Sequence, residues 1–113
     1  VEVAVTRLDL LLDEIGLGDG VIDLVKIDVE GYTYQALDGL GERVYDVRTF
    51  HLETEYDSTP QHAEHRNNRE VAQYMRSCGF LLRGCIYEWP GVQYQVWVNA
   101  AALTPAQRRE FHD

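Results

Sequence analysis

The sequence predicts a single α/β domain over residues 1–113, with a mostly parallel sheet and a C-terminal antiparallel hairpin. A nearly continuous apolar run at residues 21–29 lies between two segments with helical periodicity, as strands of parallel sheets do. Strand-like and helix-like segments continue to alternate after it, and Pro90-Gly91 then separates two strand-like segments. The 113 residues, 45% of them hydrophobic, suffice for one modest core.

The first segment predicts a short strand followed by a helix. Valines alternate with less apolar residues over residues 1–5, which is typical of a strand. Thr6 and Asp9 resemble a helix-capping pair, and Gly16 is expected to end the helix. The apolar face of this helix is predicted from residues at helical spacing: Leu8, Leu11, Leu12 and Ile15.

The apolar run at residues 21–29 is rich in β-branched residues and predicts a strand that is covered on both faces. An unpaired ammonium group inside such a strand would be costly, so we expect Lys26 to form a salt bridge, with Glu53 as the candidate partner. Gly31 is expected to end the strand. A short helix follows, loosened by Gly39 and Gly41, and then a second strand at residues 47–53.

The rest of the chain predicts a loop, a helix, a hairpin and a terminal helix. Polar residues 56–68 are expected to form a surface loop. Asn67 and Glu70 are candidates to cap the third helix. Strands are predicted at residues 80–87 and 92–99, and a short helix begins at Thr104. The inner face of the third helix is predicted to carry Val71, Met75 and Cys78.

Composition excludes several classes of partner. The formal charge of −9 and the pI near 4.7 argue against nucleic acid, whose phosphates would be repelled. No apolar stretch approaches the roughly 20 residues that span a bilayer, and no signal peptide is visible. Cys78 and Cys85 are expected to be buried free thiols, which fits a cytoplasmic protein. Because the sequence does not start with methionine, we expect residues upstream of Val1.

Four carboxylates are expected to converge at one rim of the sheet. Open α/β sheets bind ligands beyond the carboxyl ends of their strands, where Asp28 and Glu30 end one strand and Glu53 and Glu55 the next. Asp28, Glu30 and Glu53 are the candidate catalytic residues, since a carboxylate there can accept the proton of a substrate hydroxyl. Two alternatives remain open: Asp28 and Glu53 share a divalent cation, or Asp28 only caps the following helix while Glu30 is solvated.

Other polar and aromatic residues are weaker candidates. Lys26 is expected to orient substrate, and Glu55, on the same side of its strand as Glu53, to bind it, although one of those two glutamates can be merely solvated. His51 is expected to be a hydrogen-bonded core histidine, with a general-base role as the lesser alternative. His62 and His65 are expected to be exposed rather than to bind metal, and no metal site is assigned. Four aromatic residues near the hairpin predict either an aromatic wall for a substrate or ordinary cross-strand packing: Tyr87, Trp89, Tyr94 and Trp97.

Several motifs together resemble the FkbM methyltransferase family. Residues 6–11 (TRLDLL) resemble its TLDdLL segment, and residues 22–31 (IDLVKIDVEG) resemble its iDliKiDvEG strand. Three shorter matches follow: Ala36 to Gly39, Leu52-Glu53, and Cys78-Gly79-Phe80.

The resemblance implies a partial Rossmann-like class I methyltransferase fold and transfer of a methyl group from S-adenosylmethionine to a hydroxyl of a sugar, polyketide or related small molecule. Such enzymes grip the cofactor through a glycine-rich turn after their first strand and an acid after the second. Neither is found here, because the glycines of residues 16–20 follow a helix and predict a loop. Thr33 also stands where the family often carries an acid. The chain is therefore predicted to be the C-terminal half of the domain, unable to bind the cofactor tightly.

A second hypothesis is a non-catalytic α/β module. If no strand precedes residues 21–29, that strand has an open edge, and proteins normally cover such edges. The chain would then pair through this edge with another chain or form a homodimer.

Overall fold

A computed structural model describes residues 2–29, 31–55, 68–89 and 91–111. Two short 3-10 helices, Gly41–Asp46 and Ala100–Ala102, follow the second helix and the last strand. The helices and strands are α1 (Leu8–Glu14), β1 (Ile22–Ile27), α2 (Thr33–Leu40), β2 (Val47–Glu55), α3 (Asn68–Ser77), β3 (Phe80–Trp89), β4 (Val92–Asn99) and α4 (Pro105–Arg108).

The described strands form one mixed sheet in the order β1-β2-β4-β3. β1 and β2 are parallel, whereas β4 is antiparallel to both β2 and β3. The α/β class and the C-terminal hairpin are as predicted, but a mostly parallel sheet is not supported, because only one of the three pairings is parallel. The reason is that the hairpin returns β4 into the space between β2 and β3. The three strands that share a direction are therefore not all neighbours.

The core lies on one face of this sheet, under α2 and α3. Phe50 of β2 pairs with Trp97 of β4, and the Phe50 ring meets the edge of Phe80 with their centroids 5.3 Å apart. Each helix buries residues at helical spacing against this face. From α2 these residues are Leu37 and Leu40, and from α3 they are Val71 and Met75, with Cys78 half-buried after the helix.

The opposite face is open over β1 and β2, so the prediction that β1 is covered on both faces is wrong. Leu24 is 53% exposed, and Lys26 and His51 are also exposed. Register explains the pattern: Lys26 pairs with His51, whereas Ile27 pairs with buried Leu52. Alternate residues of a strand point to opposite faces, and α2 and α3 cover only the face with Phe50 and Leu52.

Two predictions for the N-terminal segment are wrong. Residues 2–6 form no strand and are exposed, since a strand needs a neighbour to bond with and none of the described strands pairs with them. Thr6 does not cap α1, because the helix begins after Arg7 and the Thr6 hydroxyl donates to the Arg7 carbonyl instead. The predicted start of the terminal helix is confirmed, since Thr104 and Gln107 form a reciprocal capping box.

Both cysteines are free, as predicted, but they are not both buried. Cys78 is half-buried and Cys85 is exposed on β3. Within the described ranges, no helix is long and apolar enough to cross a bilayer.

Candidate active site

The ends of β1 and β2 place two of the predicted acids side by side. Ile27 and Leu52 are partners in the parallel ladder. Asp28 and Glu53 are the next residues along the two strands, so they are neighbours across the ladder. Asp28 is exposed and Glu53 is half-buried. Glu30 lies outside the described residues. The carboxyl ends of parallel strands are where open α/β sheets bind ligands, so this rim is the candidate active site.

A turn at Gly31 and a hydrogen bond from Thr33 connect the ends of β1 and β2 to α2. Gly31 is buried and has φ of +93°, which only glycine adopts without strain, and α2 begins at Thr33 just after it. The buried Thr33 hydroxyl donates to the carbonyl oxygen of Glu53, with an O–O distance of 2.5 Å. Thr33 therefore has a structural partner at the rim.

The Glu53 side chain is oriented by a neighbouring strand. Tyr94 of β4 is the ladder partner of Glu53, and its hydroxyl donates to Glu53 Oε2 at 3.2 Å. The hydrogen bond directs one carboxylate oxygen and withdraws part of the side chain from solvent. Sequence reasoning missed this pair because it depends on the β2–β4 register. The only signal was the alternation of Tyr94 with its neighbours in a predicted strand.

Glu55 lies two residues beyond Glu53 on the same side of β2, as predicted, but their surroundings differ. Glu55 is only 9% exposed and pairs with Val92 at the start of β4. Neither glutamate is simply solvated.

Lys26 and His51 are both on the open face, where two predictions fail. His51 is exposed and so is not a core histidine. Lys26 is exposed as well, and across the described ranges it forms no salt bridge with Glu53 or another acid. The predicted salt bridge assumed a covered strand; an exposed ammonium group keeps its water and requires no partner.

One of the two alternatives for these acids is wrong, namely that Asp28 caps the following helix. Tyr32 is the N-cap residue of α2, and no side-chain capping hydrogen bond is found there among the described residues, so Asp28 is not the cap of this helix. No group of three or more His, Cys, Asp or Glu side chains that could hold a metal ion is found among the described residues. His62 and His65 lie outside the described residues.

The aromatic residues of the hairpin do not form one wall. Trp97 is fully buried in the core face, whereas Tyr94 is on the opposite face beside Glu53. The Tyr87 and Trp89 side chains lie outside the described part of the structure. Cross-strand packing explains Trp97.

The loop at residues 16–20 is not the glycine-rich turn that would grip S-adenosylmethionine. The glycines of residues 16–20 form a loop between α1 and β1, as predicted, and this loop leads from a helix into a strand. The Arg43 guanidinium donates hydrogen bonds to two carbonyl oxygens of this loop, Leu17 O at 3.0 Å and Gly20 O at 3.5 Å. A nucleotide cradle requires the reverse order, in which free amides at a helix N-terminus follow a strand.

The fold and the rim together define an α/β domain with acidic residues at the carboxyl ends of two parallel strands. A comparison with known protein families identifies the family of this domain. The family model described as the methyltransferase FkbM domain matches residues 1–82. The chain belongs to the FkbM methyltransferase family. The match includes the rim and α3 but ends at Leu82, before the hairpin turn and β4. No curated protein and no solved structure gave a significant match.

Proposed function

We propose that this chain is the C-terminal half of an S-adenosylmethionine-dependent O-methyltransferase domain. Its substrate is a hydroxyl of a sugar, polyketide or related small metabolite, and its compartment is the cytoplasm. The observation that carries the proposal is the juxtaposition of Asp28 and Glu53 at a parallel rim inside the segment that matches the family. Family membership supports methyl transfer, and the rim supports a hydroxylic substrate.

The rim residues divide into proton acceptors and substrate contacts. The proposal assigns Asp28, Glu30 and Glu53 to accept the hydroxyl proton as the substrate oxygen takes up the methyl group. Tyr94 holds the Glu53 carboxylate toward the rim. Lys26 and Glu55 are on the same face as Glu53, before and after it, where they contact polar groups of the substrate.

In this proposal, residues upstream of Val1 bind the cofactor. The bound cofactor supplies an electrophilic methyl group. The 113-residue chain contributes the substrate side of the cleft and is neither a tight cofactor binder nor active alone.

The proposed roles are tested in a chain that is extended upstream and active as a methyltransferase. Asp28→Asn and Glu53→Gln keep side-chain shape while removing the proton acceptor, so we expect each to lower kcat by roughly 100-fold or more. Asp23→Asn is the matched control, because Asp23 is an exposed acid near the other end of β1. If both rim variants keep the kcat of the control, these carboxylates do not handle the proton.

A specific observation also favours the second candidate, a non-catalytic interaction module. β1 is an edge strand in the described sheet, with β2 as its one partner, and it retains exposed Leu24. Such an edge is a template for pairing with another chain. Light scattering of the 113-residue chain would show a dimer if the edge pairs with a second copy, and a monomer at high concentration would count against it. The upstream coding sequence separates the candidates, since a strand followed by a glycine-rich turn there favours the enzyme.

A further inference from the structure

A cavity of about 600 Å³ lies on the core face of the sheet, between α3 and the hairpin strands. Its volume is in the range of small-molecule sites, roughly 300–1,000 Å³. Glu53 and Lys26 are on the opposite face, so the sheet separates this cavity from the candidate active site. It is lined by Asn68, Arg69, Glu70, Ala72, Gln73, Arg76, Leu82, Cys85, Gln93 and Gln95.

Hydrogen bonds fix the orientation of one buried amide that lines the cavity. Gln93 is 5% exposed, and its Oε1 accepts from Asn68 Nδ2 at 3.2 Å and from Gln95 Nε2 at 2.9 Å. Two donors on one atom identify that atom as the oxygen. Gln95 is itself tied down, because its Oε1 accepts from Trp97 Nε1 at 2.9 Å. Both hydrogen bonds found for this side chain among the described residues are to Oε1, which leaves Gln93 Nε2 as a donor in a residue that lines the cavity.

Arg76 supplies a positive charge in a fixed position. Its guanidinium lies over the Trp97 ring, 5.3 Å from the ring centroid. A guanidinium over an aromatic ring can still donate hydrogen bonds to a ligand from its N–H groups. Its charge also reaches Cys85 in the cavity wall, where it lowers the pKa of a thiol that desolvation raises more strongly.

We propose that this cavity binds the anionic oxygen group of a small molecule, a carboxylate or a phosphate. Gln93 Nε2 and the Arg76 guanidinium are both hydrogen-bond donors, and the second is charged. The lining also includes an amide side chain, Gln73, and it has two arginines, Arg69 and Arg76, against one glutamate, Glu70. Two guanidinium groups on one side of a cavity are notable in a chain with a net charge of −9. This site is additional to the proposed methyl transfer and does not depend on it.

The test is a titration of the ¹⁵N-labelled 113-residue chain, followed by NMR. Sodium phosphate and sodium succinate are added separately, with sodium chloride at equal ionic strength as the reference. We expect saturable shifts of the Gln93 side-chain amide and of Arg76 Nε–H, with a midpoint of roughly millimolar. Saturation by phosphate alone, by succinate alone or by both supports the site and identifies its ligand. Shifts that only follow ionic strength in all three titrations overturn it.

Variants localise the binding. Gln93→Glu keeps an oxygen for Asn68 and Gln95 but turns a negative charge toward the cavity, so saturable binding should be lost. Arg76→Gln alters an exposed residue, keeps the fold and should weaken binding by roughly tenfold. Arg83→Gln is the control, because Arg83 is also an exposed arginine over an aromatic ring, that of Phe111, outside this cavity. Equal weakening by the Arg76 and Arg83 variants, or none by Arg76→Gln, contradicts the proposal.

Discussion

At the scale of single residues, Glu53 is held through both its backbone and its side chain. Its backbone carbonyl accepts from Thr33, and its carboxylate accepts from Tyr94. Asp28 lies beyond the strand and is exposed. The pair therefore consists of one carboxylate that a hydrogen bond orients and one that is exposed to solvent.

The sequence located these acids because strand ends can be recognised from local patterns. Asp28 and Glu53 each follow an apolar segment, and parallel strands end at one edge. Tyr94, Thr33 and Gln93 could not be assigned the same way. Each of them has a partner 20 to 41 residues away along the chain, which only the folded structure brings close.

Asp9 should make stability depend on pH. The Arg7 guanidinium hydrogen-bonds its carboxylate at 3.2 and 3.3 Å and lowers the pKa of Asp9 below its usual 3.8. A depressed folded pKa stabilises the fold above the unfolded pKa, and the gain is lost as pH falls through the folded value. Asp9→Asn should therefore lower Tm slightly at pH 7 and not at about pH 2. Asp13→Asn, also on α1, should show no such loss, and an Asp9→Asn effect independent of pH would contradict the assignment.

Gln95 should be far more important for stability than its polarity suggests. Gln95→Leu conserves volume but leaves Trp97 Nε1 and the Asn68 carbonyl without this partner in the buried face. Unpaired buried groups cost about 1–3 kcal/mol each, so we expect a loss of roughly 2–4 kcal/mol in the free energy of unfolding by urea. Gln73→Leu, exposed on α3, should stay within about 0.5 kcal/mol of wild type. Equal effects of the two substitutions would mean that the network is not stabilising.

At the scale of elements, the type and order of the helices and strands could be predicted from the sequence. What packs against each of them could not. The periodicity of α3 and the alternation in β4 are local properties of the sequence. Whether β1 is covered depends on what packs against it, and a β-branched strand looks the same with one face covered or two. β4 shows the same limit, since its buried residues include polar Gln93, Gln95 and Asn99, and its valines lie on the more open face.

Arg43 should stabilise the loop between α1 and β1. Its side chain is 12% exposed and donates to Asp46 Oδ2 at 2.7 Å as well as to two loop carbonyls. Arg43→Met keeps much of the packing but removes these charged hydrogen bonds, so we expect a loss of about 2 kcal/mol in the free energy of unfolding. Arg48→Met is the control, because its 3.8 Å pair with Asp23 is exposed and should contribute less than about 0.5 kcal/mol. If both arginines give the same change, the Arg43 contacts do not stabilise the loop.

At the scale of the whole molecule, one sheet face has a complete core and the other is open over β1 and β2. β1 is also an edge strand of the described sheet, and Asp28 follows the end of this strand. An upstream half of the domain that packs here would cover both the exposed Leu24 and the edge of β1. The sequence indicated this through the missing glycine-rich turn, but the open face became evident only from the burial of individual strands.

Isothermal titration of S-adenosylmethionine tests the central claim that this chain is the substrate half of a methyltransferase domain. The 113-residue chain should give no binding heat at micromolar concentration, whereas a chain extended upstream should bind the cofactor with roughly micromolar affinity. Micromolar binding by residues 1–113 alone, or none by the extended chain, would contradict the account.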